Sequence, residues 1–534
     1  MDISTLLQNA ILGQTPNERQ QAEHELSRLA EENWVTYLGL MVQVLGDESK
    51  KTEVRMLAGL GLKNQLTSKD TLKKQQLAEK WMAVDVQARE EIKNIALSSL
   101  MTQDDRVANQ AAQLVAAIAD IELPRGEWSQ LMHIIVENTK QEKPVNVKRA
   151  SLLSIGYICE TADPTNPQIA AQSNGILIAI VQGAQSSEPS TIVRKTAINA
   201  LVNSLEFIAG NFEREGERNY IMQVVCEATT DKDAELQALA YGALARIMSL
   251  YYAYMGVYME KALYGLTVTG MRSENDQVAC MAVEFWSTVC EEELEIQLQR
   301  EEIEGETDDL VSYNFAVVAI QDVLPTLLTL LTRQNDDPED DDWSVAMAAG
   351  ACLQLFAQNT GSHVIEPTLK FVESNLTSPN WRNKEAAVMA FGSILDGPER
   401  EQLRGLITQA LPPILALMKD ESLQVKETVS WCLGRIADLV VDSIDVESTL
   451  PHILEALVQG FQDHPKVSTN CCWTLINLVE QLCSAAAESE SSVMSPYYGE
   501  LVPRLIQISG RNDNEHSART SAYEALSALI KQDN

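Results

Sequence analysis

The segment with the most evident chemistry is a short acidic run that ends at an aromatic residue. Residues 335–342 read NDDPEDDD, hold six carboxylates and no basic group, and are followed directly by Trp343. Crowded like charges repel one another and stay hydrated, so we expect an exposed loop. Carboxylates beside an indole can bind a Lys/Arg-rich segment through ion pairs and cation–π contacts; a merely solvated turn is the alternative. The acidic residues are Asp336, Asp337, Glu339, Asp340, Asp341 and Asp342.

Four tryptophans could extend this binding chemistry. Trp431 and Trp473 lie 42 residues apart, each on the side of its predicted helix opposite the apolar stripe. Trp343 and Trp381 each stand ten residues before a core residue of their predicted helices. We expect these rings to pack against the alkyl parts of the partner's Lys and Arg side chains, whose charged ends would then lie near the carboxylates. The alternative is burial between helices, which is more usual for tryptophan. The four are Trp343, Trp381, Trp431 and Trp473.

Residues that could support catalysis or bind a cofactor do not converge anywhere in the sequence. There is no phosphate-binding glycine loop, no HExxH and no GxSxG, and the six histidines are scattered. The nine cysteines sit in apolar helical runs without a CxxC pair, which indicates a reducing compartment. We expect no enzymatic activity, no cofactor, no metal site and no membrane insertion.

A repeated helical motif must position these residues. An aliphatic residue, a basic or polar one and an Ala/Leu/Gly-rich run recur, as in NVKRASLLSIGYI, IVRKTAINALVNSL and LQVKETVSWCLGRI. The steps from Val193 to Leu236 and from Leu236 to Val278 are 43 and 42 residues. A period of roughly 40–47 residues with two helices per unit is typical of HEAT repeats. The sequence therefore predicts an all-α, right-handed solenoid of about eleven to twelve HEAT repeats that forms a curved superhelix.

Two segments interrupt the repeat. Residues 291–309 lengthen one step, and the acidic run falls between the two helices of a single repeat. No alternating segment bounded by hairpin turns is present, so we expect no β-strands.

The composition favours a basic partner. Asp and Glu outnumber Lys and Arg by 76 to 41, which gives a net charge of −35. This balance argues against nucleic acid, whose phosphates require a basic surface, and favours long-range attraction of cationic segments. Acidity that only keeps a large protein soluble is the alternative.

The repeats, the acidic run and the tryptophans together resemble the importin-β (karyopherin-β) family of nuclear transport receptors. The similarity extends over the whole chain, including AGLGLKNQLTSKD at 58–70, SIGYICE at 154–160, EDDDW at 339–343 and AAVMAFGSIL at 386–395. Members of this family are longer, and the last repeat shows no polar cap, so we expect an N-terminal fragment. The resemblance implies a monomeric carrier that shuttles between cytoplasm and nucleus through the nuclear pore at the nuclear envelope. It would bind importin-α or basic cargo, touch Phe-Gly nucleoporins and release cargo on binding Ran-GTP.

The resemblance also assigns residues to partners. It implies that Ran contacts the first repeats and the acidic loop, and that the importin-β-binding segment of importin-α contacts the acidic loop and the tryptophans. For Asn64, a role as a helix-terminus cap is the alternative. The residues implied for Ran are Lys63, Asn64, Lys69 and Asp163.

For Phe-Gly repeats, the resemblance implies a shallow groove between neighbouring first helices. The alternative is that these residues simply form the core between repeats, Ile178 above all. The residues are Leu177, Ile178, Val181, Glu217, Tyr220 and Ile221.

We expect one continuous solenoid over residues 1–534, with Ran-binding repeats at 1–160, Phe-Gly-binding repeats at 161–300, and the acidic loop with adaptor- or cargo-binding repeats at 301–534. A HEAT scaffold outside transport, of the phosphatase-scaffold or coat-adaptor type, is the alternative function.

Overall fold

The computed structural model describes residues 2–303, 305, 309–337, 341–484 and 492–532. Within these ranges the backbone forms helices and turns and no β-strand, so the predicted all-α class is confirmed. None of the described helices is long and apolar enough to cross a bilayer. The chain divides into two compact units, Met1–Leu250 and Tyr251–Asn534.

In the first unit, successive helices pair, as α3 does with α4 and α11 with α12. The second helices of the pairs then stack on one another in the order α4, α7, α9 and α12, which makes a continuous layer. The helices are α1 (Ile3–Leu12), α2 (Pro16–Glu32), α3 (Trp34–Gly46), α4 (Thr52–Asn64), α5 (Thr71–Met82), α6 (Val86–Ser99), α7 (Asp105–Glu122), α8 (Leu131–Asn138), α9 (Val145–Thr161), α10 (Pro167–Ala170), α11 (Ser173–Ala184), α12 (Thr191–Ser204), α13 (Ala209–Glu213), α14 (Glu215–Ala228) and α15 (Ala234–Tyr251).

The second unit repeats this arrangement. Its second helices stack in the order α18, α20, α22, α24, α26 and α28. A π-helical turn, Met259–Leu263, joins the first two helices of this unit. The helices are α16 (Gly256–Tyr258), α17 (Tyr264–Met271), α18 (Asp276–Glu302), α19 (Phe315–Leu330), α20 (Val345–Thr360), α21 (Ile365–Asn375), α22 (Trp381–Ser393), α23 (Arg400–Ala416), α24 (Leu423–Leu439), α25 (Leu450–Phe461), α26 (Pro465–Ser484), α27 (Tyr498–Ser509) and α28 (His516–Gln532).

Residues 291–309 differ from the predicted interruption. Glu291–Glu302 continues α18, which is 27 residues long. The helix persists because Glu293 points inward, where its carboxylate accepts hydrogen bonds from the Tyr252 hydroxyl at 2.6 Å and the Phe315 backbone N–H at 2.8 Å.

The repeated motif explains where the second helices begin. A short polar residue caps the helix by accepting a hydrogen bond from the N–H of the aliphatic residue three positions later. Such caps contribute about 1 kcal/mol each. The pairs are Asp104 with Val107, Ser190 with Val193, Asn275 with Val278 and Ser422 with Val425.

The basic residue after the aliphatic one joins consecutive repeats. Its side chain reaches an acid in the turn between the two helices of the next repeat. Lys148 pairs with Glu188 at 2.8 Å, Arg194 with Asp231 at 2.5 Å, and Lys426 with Asp463 at 2.7 Å. The motif therefore supplies both the start of a helix and the connection to its neighbour.

Candidate functional site

The acidic run lies in the loop between α19 and α20, the two helices of one repeat, as the sequence predicts. Asp336, Asp337, Asp341 and Asp342 are exposed. Glu339 and Asp340 fall outside the described residues.

Two carboxylates of the loop contact cations at the starts of later second helices. Asp336 pairs with the guanidinium of Arg382 in α22, and Asp341 Oδ1 lies 3.0 Å from Lys466 Nζ in α26. Asp336 and Asp341 are nevertheless 94% and 86% exposed, so these ion pairs are weak, worth about 0–1 kcal/mol. A cationic ligand can therefore compete for both carboxylates.

Two of the four tryptophans that we expect to face a partner are exposed. Trp343 stands two residues before α20 and is 67% exposed, and Trp473 in α26 is 45% exposed. By contrast, Trp81 and Trp286 are core residues, and their side chains are fully buried.

The other two tryptophans of this set, Trp381 and Trp431, are half-buried and lie beside arginines of this chain. Trp381 begins α22, and the guanidinium carbon of Arg382 is 4.8 Å from its ring centroid. The ring of Trp431 packs over Gly392 of α22, where a Cβ would come within 2.5 Å of the indole. Arg435 lies 5.7 Å from the Trp431 ring centroid.

The structure brings Trp431 and part of the acidic loop to one cavity. This cavity, about 340 Å³ in volume, is lined by residues that include Asp337, Asp341, Glu427 and Trp431. A separate cavity of about 370 Å³ combines Trp473 with Glu480 and Glu524. Each cavity therefore offers an indole and at least two carboxylates, the chemistry that suits a Lys or Arg side chain.

Sequence reasoning missed Glu385, which lines the cavity of Trp431 from α22. Its carboxylate is buried and accepts hydrogen bonds from Gln334 Nε2 and Thr428 Oγ1, both at 2.7 Å. Burial raises the pKa of Glu385 above its ordinary value. An acid inside the apolar run EAAVMAFGSIL is the signal that could have revealed it, because unpaired acids seldom occupy core positions.

The residues implied for Ran do not form one cluster of exposed side chains. Lys63 is half-buried and donates from Nζ to Gln113 Oε1 at 2.9 Å. Asn64 ends α4 and is exposed, as is Lys69 in the following turn. Asp163 accepts hydrogen bonds from the N–H and hydroxyl of Thr165, which lower the pKa of its carboxyl and fix the turn.

The residues implied for Phe-Gly binding lie on α11 and α14, two neighbouring first helices in contact. Ile178 is 48% exposed and Tyr220 is 50% exposed, so the alternative in which Ile178 packs in the core between repeats is wrong. Leu177 and Ile221 are buried beneath them, and Val181 is half-buried. Glu217 is held by Arg214 at 2.8 Å and by Asn211 at 2.8 Å, which lowers the pKa of its carboxyl.

Three family patterns match parts of the chain. The importin-β N-terminal domain matches residues 22–102, a HEAT-like repeat matches 381–436, and the TPR repeats of importin subunit beta-1-like proteins match 452–534. Together they fall in both compact units.

Known proteins resemble the chain along almost its whole length. Importin subunit beta-1 of Saccharomyces cerevisiae is 56% identical over 531 residues, which cover 99% of this chain and 61% of the relative. A solved Kap95:Nup1 complex contains a chain of 56% identity with a TM-score of 0.93, covering 100% of this chain and 61% of that one. A third match is a structure of Kap95p in which Kap95p binding induces the switch loops of RanGDP to adopt the GTP-bound conformation. It is 56% identical with a TM-score of 0.92, and the match covers 100% of this chain and 61% of that one. The chain thus spans about three fifths of the length of these relatives.

Proposed function

Because this chain belongs to the importin-β family, we propose that it is a nuclear import receptor. It binds importin-α or basic cargo, contacts Phe-Gly nucleoporins, and releases cargo when it binds Ran-GTP. It works by binding alone, without catalysis, and shuttles between cytoplasm and nucleus. We assign Ran binding to residues 1–160, Phe-Gly binding to 161–300 and adaptor binding to 301–534.

One observation carries the proposal: Asp337, Asp341 and Trp431 line the same cavity. A lysine or arginine placed there meets carboxylates and an aromatic face together, which a solvated acidic turn alone does not offer. The exposed Trp343 and the Trp473 cavity supply further contacts of the same kind for an extended basic segment. Repeated weak contacts along one segment add up through multivalency.

The α11–α14 groove suits a weak, reversible apolar contact. Exposed Ile178 and Tyr220 lie above buried Leu177 and Ile221, so a phenylalanine ring can cover apolar surface there. Full burial of such a ring is worth about 1.5–3 kcal/mol. The relative found in complex with Nup1 supports nucleoporin binding by this chain.

For Ran, we propose that exposed Asn64 and Lys69, together with Lys63, contribute to the contact at the end of α4. Asp163 contributes less, because its carboxylate already closes the turn with Thr165. The relative that binds RanGDP supports Ran as a partner.

A substitution that separates the partners tests this function. Ile178→Asp is expected to reduce binding of a Phe-Gly peptide at least fivefold and to leave Ran-GTP binding unchanged, because Ile178 is an exposed side chain of the proposed groove. The control is Ile192→Asp, a change at an isoleucine of the same unit with 49% exposure. Binding of neither Ran nor a Phe-Gly peptide by the unsubstituted chain would favour the alternative, a HEAT scaffold outside transport.

A further inference from the structure

Three equivalent positions on successive second helices contact the acidic loop. Arg382 of α22, Gln424 of α24 and Lys466 of α26 follow one another at steps of 42 residues, so they occupy the same place in their repeats. The guanidinium of Arg382 pairs with Asp336, whose backbone carbonyl accepts a hydrogen bond from Gln424 Nε2 at 3.4 Å. Lys466 Nζ lies 3.0 Å from Asp341 Oδ1. We refer to the three side chains on the second helices as the latch residues.

The latch residues connect repeats that are not neighbours. In a solenoid, each repeat normally contacts only the repeats next to it. The loop belongs to the repeat of α19 and α20, yet Lys466 joins it to α26, the second helix of the third repeat beyond. A ladder of side chains at one repeat position that holds a single segment is a recurrent contact, unlike the chance approach of one exposed turn.

Lys466 already occupies the place that a lysine of the partner would take. It lines the same cavity as Asp337, Asp341 and Trp431. The side chain of Lys466 is 16% exposed, whereas that of Asp341 is 86% exposed, so the carboxylate remains open to a second cation. Because two cations at one carboxylate repel each other, a cation that binds Asp341 in this cavity has to displace Lys466.

The other end of the loop has the same arrangement. Arg382 donates from Nη1 to the Gln334 carbonyl at 2.6 Å, and Gln334 Nε2 donates back to the Arg382 carbonyl at 2.8 Å. Arg382 is thus held at the base of the loop, while its partner Asp336 is 94% exposed. Release of both ends requires two cations, since a ligand with a single cation leaves one end attached, and that end returns the other to its partner.

We propose that the acidic loop is an internal ligand of the latch residues and that a basic segment must displace it before the loop carboxylates can bind that segment. The proposal rests on the function proposed above and supplies the regulation of that site. Displacement exchanges an internal ion pair for one with the partner, so the latch selects segments that carry several cations. It also separates the loop from α26, so partner binding removes a connection between repeats.

Acetylation of lysines by a low dose of an amine-reactive reagent, followed by mass spectrometry, reports whether Lys466 is held by the loop. In the chain without peptide, Asp341→Asn is expected to raise the acetylation rate of Lys466 at least threefold, because it removes the carboxylate that pairs with the amine. Lys426, which is similarly buried and pairs with Asp463 at 2.7 Å, is the internal control and should not change. An unchanged rate at Lys466 overturns the latch, whether or not the chain binds a basic peptide.

An N-acetylated peptide rich in arginine and free of lysine tests the displacement itself. Saturating peptide is expected to raise the acetylation rate of Lys466 at least threefold, because the amine leaves Asp341. A peptide that only covers the cavity lowers this rate, so a lower or unchanged rate overturns the proposal. Failure of the chain to bind the peptide overturns the proposed function and with it the displacement, while the Asp341→Asn comparison still tests the contact.

Peptide affinities give an independent test through a double-mutant cycle. Lys466→Gln is expected to tighten binding of the arginine peptide about two- to fivefold, the range expected for loss of one exposed ion pair. Asp341→Asn should weaken binding at least threefold more in the Lys466→Gln background than in the unsubstituted chain, because Asp341 then has no internal competitor.

Lys426→Gln is the matched control for this cycle. It removes the same charge from α24, where Lys426 pairs with Asp463, so Asp341→Asn should have its original effect in this background. Equal effects of Asp341→Asn in all three backgrounds would mean that only the local field matters. A smaller effect in the Lys466→Gln background would mean that Lys466 positions Asp341 for the ligand. Either result overturns the proposal.

Discussion

Lys148 Nζ in α9 lies 2.8 Å from Glu188 Oε2 in the turn between α11 and α12, and both side chains are almost fully buried. Lys148 belongs to the repeated motif, and Glu188 belongs to the next repeat. Glu188 also accepts a hydrogen bond from the Ser190 N–H at 3.1 Å, so one carboxylate joins two repeats and supports the start of α12.

Lys148→Met is therefore expected to destabilise this contact by about 3–5 kcal/mol, because it leaves a buried carboxylate without its cation. Hydrogen exchange of the α9 and α12 amides measures the change. The double variant Lys148→Met/Glu188→Leu removes both charges and is expected to recover most of the loss. Equal exchange in the single and double variants would contradict the buried-pair account.

Asp341→Asn together with Asp342→Asn is expected to weaken binding of a Lys/Arg-rich peptide and to flatten its dependence on salt. The reason is that both carboxylates are exposed beside Trp343, where each contributes up to about 1 kcal/mol. Titrations at several salt concentrations measure both effects. Glu366→Gln with Glu373→Gln removes the same charge from α21 and serves as the control. If the control pair has an equal effect, only net charge matters and the loop has no specific role.

Trp473→Ala is expected to lower the affinity for the same basic peptide about 5- to 30-fold, the range that corresponds to a cation–π contact of about 1–2 kcal/mol. Its ring is partly exposed, so the melting temperature should change little. Leu298→Ala, at a side chain with 55% exposure and no ring, is the control. An unchanged affinity would show that the Trp473 cavity does not receive the peptide.

Glu385→Gln is expected to stabilise the second unit at neutral pH. Burial raises the pKa of Glu385 in the folded state above the ordinary 4.5, so the folded protein binds more protons at this carboxyl than the unfolded chain does. Its contribution to stability therefore falls as pH rises from about 4.5 through the raised pKa.

The neutral amide removes this loss, so we expect a gain in stability at pH values above the raised pKa of Glu385 and no gain near pH 4. Melting temperatures of both proteins across pH 4–8 measure it. A stabilisation that is the same at every pH would mean that titration of Glu385 is not its cause.

The fold could be predicted from the sequence because its determinants are local and repeated. The caps at Ser190 and Ser422 and the spacing of the aliphatic residues mark where helices begin, and each helix contacts only near neighbours. The exposed side of Trp473 follows from helical periodicity alone. In contrast, the sequence alone does not show whether an apolar residue of a first helix is buried, since Leu177 is buried and its neighbour Ile178 is 48% exposed.

The pairing of distant side chains could not be predicted. Arg382 and Lys466 contact the acidic loop across 46 and 125 residues of sequence, and nothing in the pattern specifies that geometry. The buried Glu385 likewise depends on Gln334 and Thr428, which belong to neighbouring repeats. Sequence periodicity identifies the surface of a repeat, whereas the contacts across repeats determine which of its charges a ligand can reach.

The measurement that tests the central claim most directly is a competition titration. A fluorescent Lys/Arg-rich peptide is bound to the chain, and Ran-GTP or Ran-GDP is added. The account predicts that Ran-GTP displaces the peptide at a concentration at least tenfold lower than Ran-GDP, since coupling between two ligands is reciprocal. Equal displacement by both forms, or a peptide that stays bound at saturating Ran-GTP, would contradict it.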